Sequence, residues 1–132
     1  MHNRYLGSAL LIIGILTCSS VMWAHHGTSA FDATKTIVLK GTVTDFEFIQ
    51  PHALIALDMK NESGDIEKWF VELTTPNYLT RYGWSRTTLK PGDQITITGN
   101  PTKNGAKTLH PLKIVSSSGR ELPLASPAEN RY

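Results

Sequence analysis

The chain has 132 residues, with 13 Lys and Arg against 11 Asp and Glu, and a formal net charge of +2. This length allows one domain with one modest core, and a charge so small, without a basic stripe, argues against nucleic acid as a partner. Cys18, the only cysteine, lies in an apolar leader. A metal site in the domain that follows must therefore use nitrogen and oxygen donors.

Residues 1–24 have the layout of a secretory signal peptide. A short start carrying Arg4 precedes an apolar stretch and then shorter, more polar residues that end at Ala24. Cleavage after Ala24 leaves histidine as the first residue, whereas cleavage after Ser20 fits the small-x-small rule better. An uncleaved anchor and lipidation at Cys18 also stay open. We expect export to a bacterial periplasm, with membrane contact only through the leader.

The first predicted strand covers residues 36–49 and is interrupted by a change of parity. Its apolar residues fall first on one face and then on the other, which predicts a β-bulge near Thr44 and Asp45. Gly41 is a natural bending point. The strand is therefore expected to curl. The residues of the two parities are Ile37, Leu39 and Val43, then Phe46 and Phe48.

Two further strands are predicted as a hairpin over residues 52–59 and 66–73. Apolar residues alternate in both, and the segment between them is rich in turn formers. In the second of these strands Trp69 has the inward parity and is expected in the core, whereas Glu72 has the outward parity.

A short helix is predicted next, with Thr75 as its cap, Pro76 in its first turn and Gly83 at its end. Strands over residues 94–99 and 109–115 follow, and Pro111 marks the latter as an edge strand or a bulged one.

The order of these elements predicts a mainly β fold, a small OB-fold-like barrel of five strands with one short helix between strands three and four. An immunoglobulin-like sandwich is the alternative, and the helix argues against it. The domain is expected to span residues 25–120, with a flexible tail over residues 121–132 that is rich in Pro, Ala and Ser.

Several short motifs occur together along the chain. They are Ala24-His25-His26, Phe31-Asp32, Gly41-Thr42-Val43, Pro51-His52, Trp69-Phe70-Val71-Glu72, Arg81-Tyr82-Gly83-Trp84 and Leu89-Lys90-Pro91-Gly92-Asp93. In this combination the chain resembles a family of small exported bacterial proteins of unknown function. Gln50 departs from the family pattern, which has Asn before the Pro-His pair. The resemblance implies the fold and export, and it implies no activity.

Three histidines are the candidate metal ligands: His25, His26 and His52. If the chain begins at His25, its α-amine and imidazole can chelate one ion, and His26 or His52 completes the set. Copper is the favoured metal because it binds nitrogen donors most tightly among the divalent ions of the first row. Asp32 and Glu72 are predicted to orient a ligand ring.

A structural interpretation of the same histidines stays open. In it, His25 and His26 are only a polar start of the mature chain, and His52 makes a hydrogen bond to the backbone. His110, before Pro111, is not included among the ligands.

The sequence thus supports two main functions for a monomeric periplasmic protein. One is transition-metal binding through the junctional histidines. The other is a binding module without metal, for an envelope protein, a peptide or a saccharide. The sequence contains no nucleophile elbow, His-Glu-x-x-His, P-loop or dinucleotide motif, so an enzyme is not predicted, and a copper-dependent oxidase ranks last.

Overall fold

The structure, a computed structural model, describes residues 28–124. Its strands are β1 (Ile37–Glu47), β2 (Leu54–Lys60), β3 (Ile66–Glu72), β4 (Gln94–Pro101), β5 (Thr108–Ser116) and β6 (Glu121–Leu122), with one helix, α1 (Pro76–Thr80), between β3 and β4 and a 3-10 turn at Thr28–Ala30. Among these residues no helix is long and apolar enough to cross a membrane.

The strands form a closed barrel with OB-fold topology, which confirms the predicted fold. Their order is β3-β2-β1-β4-β5-β6, and a further pairing of β3 with β5 closes the sheet on itself. The neighbours are antiparallel except at this closure, where Phe70 pairs with Thr108 and Val71 with Leu109 in a parallel register.

Strand β1 curls because it pairs with two different strands along its length. Its first half pairs with β4 and its second half with β2, and the register shifts between Val43 and Asp45. This is the predicted bulge. Gly41 is required at the bend, since a Cβ there would lie 2.8 Å from the carbonyl oxygen of Asp58.

The core lies inside the barrel and follows the alternation of the strands. Ile55, Leu57, Val71, Ile97 and Ile114 are completely buried there. Trp69 packs against this cluster and is only partly buried.

Helix α1 is shorter than the sequence predicts. The Thr75 hydroxyl accepts a hydrogen bond from the Tyr78 backbone N–H at 3.3 Å, and Pro76 occupies the first turn. The helix ends at Thr80, and Gly83 follows in a turn with φ of +86°. This single helical turn carries Leu79 into the core.

The predicted tail begins inside the folded domain, and this boundary needs correction. Residues Glu121 and Leu122 form β6, which pairs with Val115 and Ile114. Just beyond them, the Trp84 indole N–H donates to the Pro123 carbonyl oxygen at 2.7 Å. Order therefore extends at least to residue 124, and the remainder of the predicted tail lies outside the described residues.

Candidate functional site

An imidazole–carboxylate pair occupies the outer face of the barrel. His52 Nδ1 lies 2.8 Å from Glu72 Oε1, and the two side chains are 35% and 34% exposed. Each is thus partly shielded by protein and still open to solvent. A carboxylate in this position holds an imidazole in one orientation and favours the tautomer with its proton on Nδ1.

The hairpin of β2 and β3 produces this contact. Leu54 pairs with Glu72, and the pairing continues past the strand end because Ala53 and Leu73 are linked by a backbone hydrogen bond of 2.9 Å. His52 is therefore the diagonal neighbour of Glu72 on the outer face, within reach of a long side chain. The Gln50–Pro51 peptide bond before it is cis.

A second histidine lies on the other side of Glu72. The parallel pair Val71–Leu109 places the next residues, Glu72 and His110, side by side and outward. Burial lowers the pKa of His110, and the negative charge of Glu72 opposes this shift in part. His52, Glu72 and His110 consequently form a row across β2, β3 and β5, which we call the histidine row.

The ring of Phe31 covers His110. The two ring centroids are 5.4 Å apart with a 40° tilt, and Phe31 is only 5% exposed although it lies outside the main core cluster. Two backbone hydrogen bonds hold the chain in place here. The Asp32 N–H donates to the Pro101 carbonyl oxygen at 2.8 Å, and the Lys103 N–H donates to the Ala30 carbonyl oxygen at 3.0 Å. The segment that precedes Phe31 thus enters the fold beside His110.

The predicted site residues are distributed unevenly over the structure. His52 and Glu72 are in contact, whereas His25 and His26 lie outside the described residues. Asp32 accepts hydrogen bonds from the Thr34 hydroxyl at 2.6 Å and the Thr34 N–H at 3.1 Å. These bonds, with a contribution from Lys35, lower the pKa of Asp32. The Asp32 carboxylate therefore makes its hydrogen bonds within its own turn.

The histidine row does not amount to a complete metal centre. Within residues 28–124, no three His, Cys, Asp or Glu side chains are grouped so that they would hold an ion. The row offers two imidazoles and a carboxylate, so a tightly held ion needs donors from elsewhere.

His110 is the residue of this row that sequence reasoning missed, although a signal for it existed. His110 has the outward parity of its strand, as Glu72 has in β3, and closure of an OB-fold barrel pairs these two strands. What the sequence does not contain is the register of that parallel pairing, which places His110 beside Glu72.

A groove adjoins the histidine row. It has a volume of about 770 Å³ and is bounded by His110, by residues from the end of β3 and from α1, and by the chain after β6. Its lining residues include Leu73, Tyr78, Leu79, Pro111, Leu112 and Pro123. The volume falls within the range of about 300–1,000 Å³ found for small-molecule sites.

Comparison with known proteins identifies the family. The model of a family of unknown function, DUF6152, matches residues 13–110. The chain belongs to this family. Membership in DUF6152 confirms the resemblance seen in the motifs, and it assigns no activity. The match spans His25, His26, His52 and His110.

Other comparisons add little to the DUF6152 assignment. No curated protein matches the chain. A crystal structure of the mitochondrial single-stranded DNA-binding protein Rim1 from S. cerevisiae is similar to the chain with a TM-score of 0.48 and 7% identity, over 63% of this chain and 93% of that one. Our assignment of the fold rests on the strand pairings.

Proposed function

We propose that this DUF6152 protein is an exported periplasmic protein that binds a transition metal, copper in preference, through His25, His26 and His52. The observation that carries the proposal is the 2.8 Å contact between His52 Nδ1 and Glu72 Oε1. Metal-binding histidines almost always donate their other ring N–H to a carboxylate, a carbonyl or water. With Nδ1 engaged in this way, Nε2 is the ring atom through which His52 would bind the ion.

The remaining donors come from the start of the exported chain. Removal of residues 1–24 makes the His25 α-amine available together with two imidazoles, and Cu²⁺ is the divalent ion that such a nitrogen set binds most tightly. Amine and imidazole must lose their protons to bind, so the affinity should fall in mild acid.

The described structure is compatible with the reach that this proposal requires. Residues 28–30 form a 3-10 turn, which rises about 2.0 Å per residue, whereas an extended chain spans about 3.3–3.6 Å per residue. The chain between His26 and Phe31 can therefore span at most about 13 Å. Strands β5 and β2 lie two strand spacings apart around β3, about 10 Å between backbones. A segment fastened beside His110 is therefore long enough to extend to His52.

A second candidate function is a binding module that needs no metal, and the groove beside His110 favours it. Its lining combines leucines and prolines with the polar groups of Thr74, Tyr78 and Glu121, the mixture found in sites for small organic ligands and short peptides. This function predicts a ligand that binds equally well with a chelator present.

The test begins with the protein recovered from the periplasm. Mass spectrometry of the intact protein identifies its first residue, and calorimetric titration with Cu²⁺ then compares the natural protein with a His25→Ala/His26→Ala double variant and with His52→Gln. We expect one equivalent of copper and at least about tenfold weaker binding in each variant, since even loss of an outer partner of a ligand typically costs that much. A first residue upstream of His25, or equal affinity in all three proteins, would refute the proposal.

A further inference from the structure

A gap in the sheet creates the groove that adjoins the histidine row. Strands β3 and β6 lie along the same edge of β5, but β3 pairs with it only as far as Leu109 and β6 only from Ile114. The chain after β3 leaves this edge because it stays with β2, where the Leu73 N–H donates to the Ala53 carbonyl oxygen at 2.9 Å. The stretch of β5 between the two pairings therefore forms one side of the groove.

The groove is apolar at its floor and polar at its mouth. Leu73 and Leu79 are only 3% and 0% exposed and belong to the core, whereas Leu112 is 53% exposed on the wall. The carboxylate of Glu121 lies at the mouth on a side chain that is 59% exposed. An apolar molecule that covers Leu112 removes its surface from water, and this burial favours binding.

The charges around the groove are negative. Glu121 supplies a carboxylate to the lining, and among residues 28–124 no lysine or arginine lines the groove. Burial lowers the pKa of His110, so its imidazole adds no positive charge at neutral pH. On the far side of His110, Glu72 supplies a second carboxylate. An anion is therefore disfavoured in the groove, and a cation is favoured.

A ligand cation would compete only with a weak ion pair for Glu121. Lys113 Nζ lies 3.4 Å from Glu121 Oε2, and the two side chains are 53% and 59% exposed. Ion pairs as exposed as this one contribute little to stability, so a ligand can replace Lys113 at small cost. Tyr78 also lines the groove, and the faces of aromatic rings attract organic cations.

We propose that this groove binds a small organic cation, in which an ammonium group is attached to an apolar body. The body lies against Leu73, Leu79 and Leu112, and the ammonium group lies at the mouth beside Glu121, where it keeps part of its hydration and avoids the cost of burial. The volume of about 770 Å³ suits a small-molecule ligand. This inference goes beyond copper binding and does not depend on it.

The experiment compares three probes that share one apolar body: phenylbutylamine, phenylbutanol and phenylbutanoate. Each is titrated into the isotope-labelled exported protein in the presence of excess EDTA, and the shifts of backbone amide signals give both the location of the probe and its Kd. The amine should bind up to about fivefold more tightly than the alcohol, and the carboxylate should bind most weakly. The largest shifts should occur at Leu73, Leu112 and Glu121.

Two pairs of variants separate the charge of the groove from its apolar surface. Glu121→Gln keeps the size of the side chain but removes its charge, so the amine and the alcohol should bind equally. Glu62→Gln makes the same change in the exposed turn between β2 and β3 and should keep the preference for the amine. Leu112→Ala should weaken all three probes about three- to tenfold, whereas Val38→Ala, at an exposed residue of β1 outside the lining, should weaken none.

Three results would overturn the inference. They are an alcohol or a carboxylate that binds as tightly as the amine, probes that leave the groove signals unshifted, and a Glu121→Gln variant that still prefers the amine. Thermal unfolding shows whether each variant is folded. Should Glu121→Gln not fold, the salt dependence of the natural protein decides, because salt screens an exposed ion pair; an advantage of the amine that persists at high salt overturns the inference. With EDTA present, failure of this inference leaves the copper titrations as a separate test of the proposed function.

Discussion

Replacing Glu72 by Gln separates the metal-binding role of the His52–Glu72 contact from its contribution to stability. The substitution keeps the size and a hydrogen-bond acceptor but removes the negative charge. Because both side chains are about one-third exposed, the pair resembles an exposed ion pair, and its loss should lower the free energy of unfolding by no more than about 1 kcal/mol.

The expected effect on copper is much larger. Outer carboxylates that orient a ligand histidine typically contribute a factor of about 10–100 to metal affinity, equivalent to about 1.4–2.7 kcal/mol. Chelator competition measures the affinity, and urea unfolding of the metal-free protein measures the stability. Glu62→Gln, in the exposed turn between β2 and β3, is the control and should change neither quantity.

The result that would refute this reasoning is a Glu72→Gln variant with natural copper affinity and markedly reduced stability. It would show that the pair stabilises the hairpin of β2 and β3 and does not serve a metal ligand.

Three further predictions concern the scaffold. Gly99→Ala should destabilise the protein by about 1–3 kcal/mol, because its Cβ would meet the His110 carbonyl oxygen and the Leu109 side chain; unchanged urea unfolding would contradict this. Burial lowers the pKa of His110, so below pH about 6.5 the unfolded chain takes up a proton that the folded chain does not, and metal-free protein loses stability as the pH falls. His110→Asn should reduce that loss below pH about 6.5, and identical pH profiles of urea unfolding in the two proteins would refute this prediction. Trp84→Phe loses the hydrogen bond to Pro123, so the free energy of unfolding should fall by about 1–2 kcal/mol. The chain after β6 should also become more sensitive to proteases, and natural resistance to limited proteolysis would count against that contact.

The barrel was predictable from the sequence because its signals are local. Alternation set the inward residues of each strand, and the change of parity between Val43 and Phe46 located the bulge that curls β1. The short β6 was missed since a strand of two residues has no periodicity. It is held by pairing with Ile114 and Val115, which no local pattern reveals.

The candidate site was predictable only in part, because it depends on pairings between distant segments. Parity placed Glu72 outward, and the hairpin brought it near His52. The neighbour on its other side, His110, follows from a parallel closure whose register is set by packing of the whole barrel. Asp32, also predicted to orient a ligand, makes hydrogen bonds to Thr34 that depend on the conformation of its own turn.

The most direct test of copper binding on this face is paramagnetic broadening of backbone amide signals by substoichiometric Cu²⁺ in the isotope-labelled exported protein. The proposed function predicts that the signals of His52 and Glu72 broaden first, while those of the turn at Ser63 and Gly64, at the far end of the same hairpin, stay sharp. Broadening confined to the first residues of the chain, or strongest at that distant turn, would contradict it.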